Sequence, residues 1–164
     1  MKHLMLLRHA KSSWDDPMME DFDRPLNDRG RRGAQAMGAW IADQGLAPDQ
    51  VISSSAARTR ETCALLGLAQ APAFEDRLYH SGPDQMLAHI RRAQCDRLLV
   101  VAHNPGIATL AGQLCRAPPD HGRFLDYPTA ALTVMRFEIT HFSEIGQRGG
   151  LVEHFLTPHD LPQS

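Results

Sequence analysis

Apolar residues along the chain fall into two patterns: short unbroken runs, and longer stretches in which they recur three or four positions apart. The runs read as buried strands and the spaced stretches as helices with one apolar face. Lys2 to Leu7 is a strand that ends by delivering Arg8 and His9. Asn27 or Asp28 caps a helix whose face is Ala34, Met37 and Ile41, with Gly45 as its stop. Val51-Ile52 is a second strand, running into Ser53-Ser54-Ser55, and a helix follows from Ala57 to Leu68. Pro83 opens a helix that turns Met86, Leu87 and Ile90 inward. Arg97 to Ala102, RLLVVA, is the clearest buried strand, with His103 at its end and a helix from Asn104-Pro105-Gly106 toward Leu114. Ala131 to Ile139 and Leu151 to Leu156 complete the strands. Lys11 to Pro25 has no steady period and reads as loop.

Strands alternating with helices imply an α/β layered fold with a mainly parallel sheet. In such sheets ligands bind beyond the carboxyl ends of the strands. Three of the strands end there in reactive groups: Arg8-His9, Ser53 leading on to Arg58, and His103.

The 164 residues fit one domain spanning 1–164. Hydrophobic content of 43% and charged content of 22% are ordinary for a globular protein, and a net charge of −2 gives no basic face for nucleic acid. Three cysteines, odd in number and without a CxxC pair, suit a reducing compartment. The apolar run Leu4–Leu7 is too short for a signal peptide or a membrane span, so the expected location is cytoplasmic. The nine histidines show no HxxxH or HxH spacing, and neither a metal nor another cofactor is expected.

Two histidines and two arginines at one pocket suit phosphoryl transfer. Neutral imidazole attacks phosphorus to give a covalent phosphoramidate. The guanidinium fork matches phosphate oxygens bidentately. His9 is the expected nucleophile, Arg8 and Arg58 the phosphate clamp, and His103, protonated, a donor to a non-bridging oxygen. Ser12 and Asn104 are further candidate substrate contacts. Lys11 reads equally as a substrate contact or a solvated loop residue, and Arg24 either joins the site or pairs with Asp21 or Asp23.

These residues stand in motifs that resemble the histidine phosphatase superfamily, branch 1, the phosphoglycerate mutase-like enzymes. LLRHAKSSW is similar to its RHG signature, with Ala10 in place of the glycine. SSSAARTRETC is similar to SSPLxRAxxTA at Ser53, Ser54, Arg58 and Thr62, and VVAHNPG brings His103. DRPLNDRGRRGA resembles the segment before the family's first helix. The short chain and RHAKSSW look most similar to the SixA-like phosphohistidine phosphatases.

The resemblance implies a three-layer α/β/α sandwich with a mostly parallel central sheet. It also implies a metal-independent phosphatase acting through phosphohistidine on His9, with a phosphorylated protein or a small phosphorylated metabolite as partner; a monomer is the default for an open-pocket enzyme this small, and no membrane partner is expected. Larger relatives place a glutamate in an LRE-like segment as proton donor, but this chain has Leu78-Tyr79-His80. A labile P–N bond or an activated ester needs no such acid, and His80, Glu75 or Asp76 are the candidate substitutes. The alternatives are a small-molecule monoesterase or phosphomutase of the same fold, and a non-catalytic phospho-recognition module.

Overall fold

The computed structural model describes residues 1–162. Six strands form one sheet: β1 (Lys2–Arg8), β2 (Gln50–Ser54), β3 (Ala73–Glu75), β4 (Arg97–Ala102), β5 (Leu132–Phe137) and β6 (Leu151–Leu156). Their order is β3-β2-β4-β1-β5-β6, with parallel pairing from β3 across to β1 and antiparallel pairing of β5 with both neighbours.

The apolar runs of β1 and β4 are continuous because both faces of the sheet are covered. Leu4 and Leu6 of β1, with Leu98, Val100 and Ala102 of β4, join Met86 and Ile90 of α3 (Pro83–Arg91) and Ile107, Leu110 and Leu114 of α4 (Gly106–Leu114). Met5, Leu7, Leu99 and Val101 point the other way. They meet Met37 and Ile41 of α1 (Asp28–Asp43) and Cys63 of α2 (Ala57–Leu65). All nine strand residues are fully buried, and truncating any one to alanine (glycine for Ala102) costs a cavity as well as lost transfer energy. The two helix pairs and the sheet make the α/β/α layering.

Helix limits follow local chemistry. The Asn27 side chain accepts the Gly30 N–H at 2.8 Å and starts α1. A Cβ on Gly38 would sit 2.1 Å from the Leu66 carbonyl, so only glycine lets α1 and the end of α2 approach so closely. The helix expected to reach Leu68 ends at Leu65, because Gly67 turns to φ +69°. β3 was not expected: it is three residues long, half exposed and at the sheet edge.

The segment Lys11–Pro25 is irregular except for one 3₁₀ turn over Asp21–Asp23 and an isolated bridge from Ser12 to Leu26. Among the described residues no helix is long and apolar enough to cross a membrane.

Candidate active site

Central β1 and β4 are neighbours and parallel, so their carboxyl ends lie side by side: Arg8 pairs with Ala102, and each strand hands on to a histidine. The rings of His9 and His103 face each other with centroids 5.1 Å apart. β2, on the other side of β4, ends in Ser54, and its turn into α2 supplies Arg58. Buried Thr62 ties these pieces together. Its hydroxyl accepts the Ala10 N–H at 3.1 Å and donates to the Arg58 carbonyl at 2.7 Å. The structure thus gathers Arg8, His9, Arg58 and His103, three of them nearly closed off from solvent.

The hydrogen bonds set the protonation of both imidazoles. His9 Nδ1 lies 2.7 Å from the Ala10 carbonyl, which only accepts, so Nδ1 carries the proton and Nε2 keeps its lone pair. Burial pushes the His9 pKa down to about 3, and the charges of Arg8 and Arg58 act in the same direction against the Ala10 bond. His9 is therefore a neutral nucleophile at neutral pH.

His103 Nε2 is 2.8 Å from Ser54 Oγ, which already accepts the Ala56 N–H at 3.3 Å. The Ser54 hydroxyl proton has no other acceptor among the described residues, so Ser54 donates to Nε2 and the His103 proton sits on Nδ1, a buried atom with no partner among those residues. The sequence reading has His103 charged once a phosphate dianion is bound beside it. Burial, then His9 and Arg58, lower its pKa to about 3, so in the unliganded chain it is neutral. Its Nδ1–H remains a donor without that charge.

Arg8 Nη1 donates to the Tyr127 carbonyl at 3.1 Å. Asn104 Nδ2 donates to that same carbonyl and to that of Asp126, each at 3.0 Å. The Asn104 amide group thus braces the anchor of Arg8. Ser12 is joined to Leu26 through its backbone and forms no hydrogen bond with the four central side chains. Arg24 takes neither role expected of it: it donates to the carbonyls of Asp16 and Met19 and stacks at 4.0 Å on Trp14, holding the loop folded.

Asp21 is the residue that sequence reasoning missed. Arg58 Nη1 donates to its backbone carbonyl at 2.8 Å and Nη2 to its carboxylate at 3.1 Å. The Tyr79 hydroxyl donates to the same carboxylate oxygen. The Tyr79 bond and Arg58 hold Asp21 below the usual carboxylate range despite partial burial. Tyr79 also packs edge-on to Phe22 at 4.9 Å and to His103 at 5.5 Å.

Of the three acids considered for the leaving group, two already have partners. Glu75 lies 3.9 Å from His89, and Asp76 accepts from Ser55. His80 packs against Tyr79 with ring centroids 3.9 Å apart. Among the described residues no group of three or more metal-ligating side chains converges.

Comparison with known proteins agrees with this geometry. Residues 4–79 match the model of the histidine phosphatase superfamily (branch 1). An uncharacterized protein of Mycobacterium tuberculosis is 34% identical over 137 residues, covering 79% of this chain and 86% of that protein. A structure from Nakamurella multipartitia, named for the phosphohistidine phosphatase SixA, superposes with TM-score 0.83 at 30% identity, covering 96% of each chain. Another so named, from Agrobacterium tumefaciens, gives 0.77 at 26% identity over 96% of this chain and 98% of its own. The chain belongs to the histidine phosphatase superfamily, branch 1.

Proposed function

We propose that the chain is a metal-independent phosphohydrolase that works through a phosphohistidine on His9, with phosphoramidates, phosphohistidine among them, and activated esters as substrates. The observation that carries this is the His9 ring itself: neutral, with Nδ1 bound to Ala10 and Nε2 free, between two arginines and a second histidine.

In the first step His9 Nε2 forms a bond to phosphorus as the bond to the leaving group breaks. The leaving nitrogen or aryl oxygen takes the electron pair. Arg8, Arg58 and the Nδ1–H of His103 hold the three non-bridging oxygens, whose charge they are placed to stabilise. Water then attacks phosphorus, the N–P bond breaks, and its electron pair returns to His9 Nε2. No carboxylic acid stands ready for the leaving group, since Asp21 is held ionised, Glu75 lies against His89 and Asp76 accepts from Ser55. That favours leaving groups that depart unaided or draw a proton from solvent. The SixA-named neighbours support the same substrate class.

The test is phosphate release in EDTA from a phosphohistidine peptide, p-nitrophenyl phosphate and 3-phosphoglycerate, with His9→Ala as control. The expected result is His9-dependent release from the first two and little from the third. Equal rates on an alkyl phosphate overturn the substrate class, and binding of the phosphopeptide without release overturns the enzyme reading.

A further inference from the structure

Beside the His9 pocket lies an open cleft of about 440 Å³, walled by the residues after His9, the first turns of α1, the turn 123–130 and the residues that follow β6. Its charge is one-sided. Lys11, Arg29 and Arg123 line it, next to Arg8 of the phosphate clamp, against a single carboxylate, Asp126, which Arg123 already engages at 2.9 Å. Lys11 and Arg29 are exposed, and neither meets a carboxylate among the described residues. The chain as a whole is net negative, so this local excess is not a consequence of composition.

The cleft is also rigidly built and close to the nucleophile. The Lys11 carbonyl accepts the Asn27 N–H at 3.0 Å, and it lies so near α1 that a Cβ on Gly30 would come within 2.1 Å of it. Arg8 and Ala10, the residues on either side of His9, both line the cleft. Behind them the Ala130 N–H is shared between the Arg8 and His9 carbonyls, at 3.1 and 2.9 Å. The backbone of this wall is preformed, and the exposed Lys11 and Arg29 side chains that it carries favour an anion. The volume exceeds what one phosphate fills and suits a charged group with its linker.

We infer that this cleft docks a second anionic group, phosphate or carboxylate, carried on the same molecule as the scissile phosphoryl group. The inference rests on the phosphatase reading above and names a specificity determinant for it. Arg29 is the residue to vary, because it lies on the exposed surface of α1 and takes no part in the chemistry at His9.

The experiment compares phenyl phosphate with a series of aryl phosphates bearing a carboxylate on spacers of increasing length. Wild type, Arg29→Gln and Arg29→Glu are each assayed. In wild type some spacer length raises kcat/KM about tenfold over the parent, through KM. Arg29→Gln reduces that gain, Arg29→Glu abolishes it, and all three act on phenyl phosphate within twofold of one another. Calorimetry with the matching phosphonates reads the same preference without turnover, so failure of the phosphatase reading, seen as no His9-dependent release, is separated from failure of the cleft. A flat series in both readouts, or a gain that survives Arg29→Glu, overturns the inference. So does an effect of free inorganic phosphate on phenyl phosphate turnover that depends on Arg29 while the linked series stays flat, since the cleft then serves a separate anion.

Discussion

Replacing Asp21 with asparagine loosens the phosphate clamp. Arg58 Nη2 donates to the Asp21 carboxylate, which Tyr79 holds in place, while Nη1 donates to the Asp21 backbone carbonyl, which the substitution keeps. An entering phosphoryl group competes with that carboxylate for Nη2, so its apparent affinity is the intrinsic one scaled by the fraction of chains with Nη2 free. Charge-assisted bonds are worth about 1.5–3 kcal/mol each when shielded. The Asp21 side chain is 48% exposed, and screening brings the contact to about 1 kcal/mol. Asp21→Asn then binds oxyanions about fivefold more tightly.

The change in field is a rival cause, and it has a different signature. A unit charge about 6 Å away in a water-like dielectric contributes about 0.7 kcal/mol per unit of ligand charge. Loss of the field alone therefore favours a dianion over a monoanion by about threefold. Tungstate and perrhenate, tetrahedral anions of charge −2 and −1, separate the two causes when used as competitive inhibitors. Tyr79→Phe removes the tether and keeps the charge, so it improves both inhibition constants by the same factor, about twofold. No change in Tyr79→Phe, together with a gain in Asp21→Asn confined to tungstate, refutes displacement as the cause. A tenfold fall in kcat at constant KM in Asp21→Asn refutes it too, by placing the acid on the reacting atoms.

Three further outcomes are expected. Ser54→Ala removes the partner of His103 Nε2, so the ring loses its fixed tautomer and kcat falls about tenfold or more with little change in KM, read by steady-state kinetics. Folding stability declines in acid: both histidines have folded pKa values of about 3 against 6.5 unfolded. Their contribution is intact above pH 6.5 and is lost as pH falls from there toward 3. The loss amounts to about 2 kcal/mol for each by pH 5, measured by urea unfolding of wild type and of the His9→Gln/His103→Gln variant, which shows the shallower loss. Gly30→Ala drives a Cβ into the Lys11 backbone and destabilises by about 2 kcal/mol despite alanine's better helix propensity, read from the same unfolding curves.

The central strands were legible because burial on both faces leaves an unbroken apolar run, as in RLLVVA, which no other local structure of that length explains so well. The residues at their carboxyl ends followed from strand direction alone. Edge strand β3 was not legible: Ala73-Phe74-Glu75 is half exposed and has no run or alternation long enough to register. Asp21 was illegible for another reason. It lies in a loop without periodicity, and its partners Arg58 and Tyr79 are 37 and 58 residues away. A nearby arginine, Arg24, offered itself as the local partner, yet the fold gives that side chain to Trp14 and two loop carbonyls. Side-chain protonation was half legible. The arginines beside His9 pointed to its neutral form and a bound phosphate to a charged His103, but the burial that lowers both pKa values is a property of the fold alone.

The most direct test of the account is to trap the phosphoenzyme. Rapid quenching into alkali after mixing with radiolabelled phosphoramidate is expected to give an acid-labile, alkali-stable label on the His9 peptide, approaching one per chain, and none in His9→Ala. A label on any other residue, or full-rate turnover by His9→Ala, contradicts it.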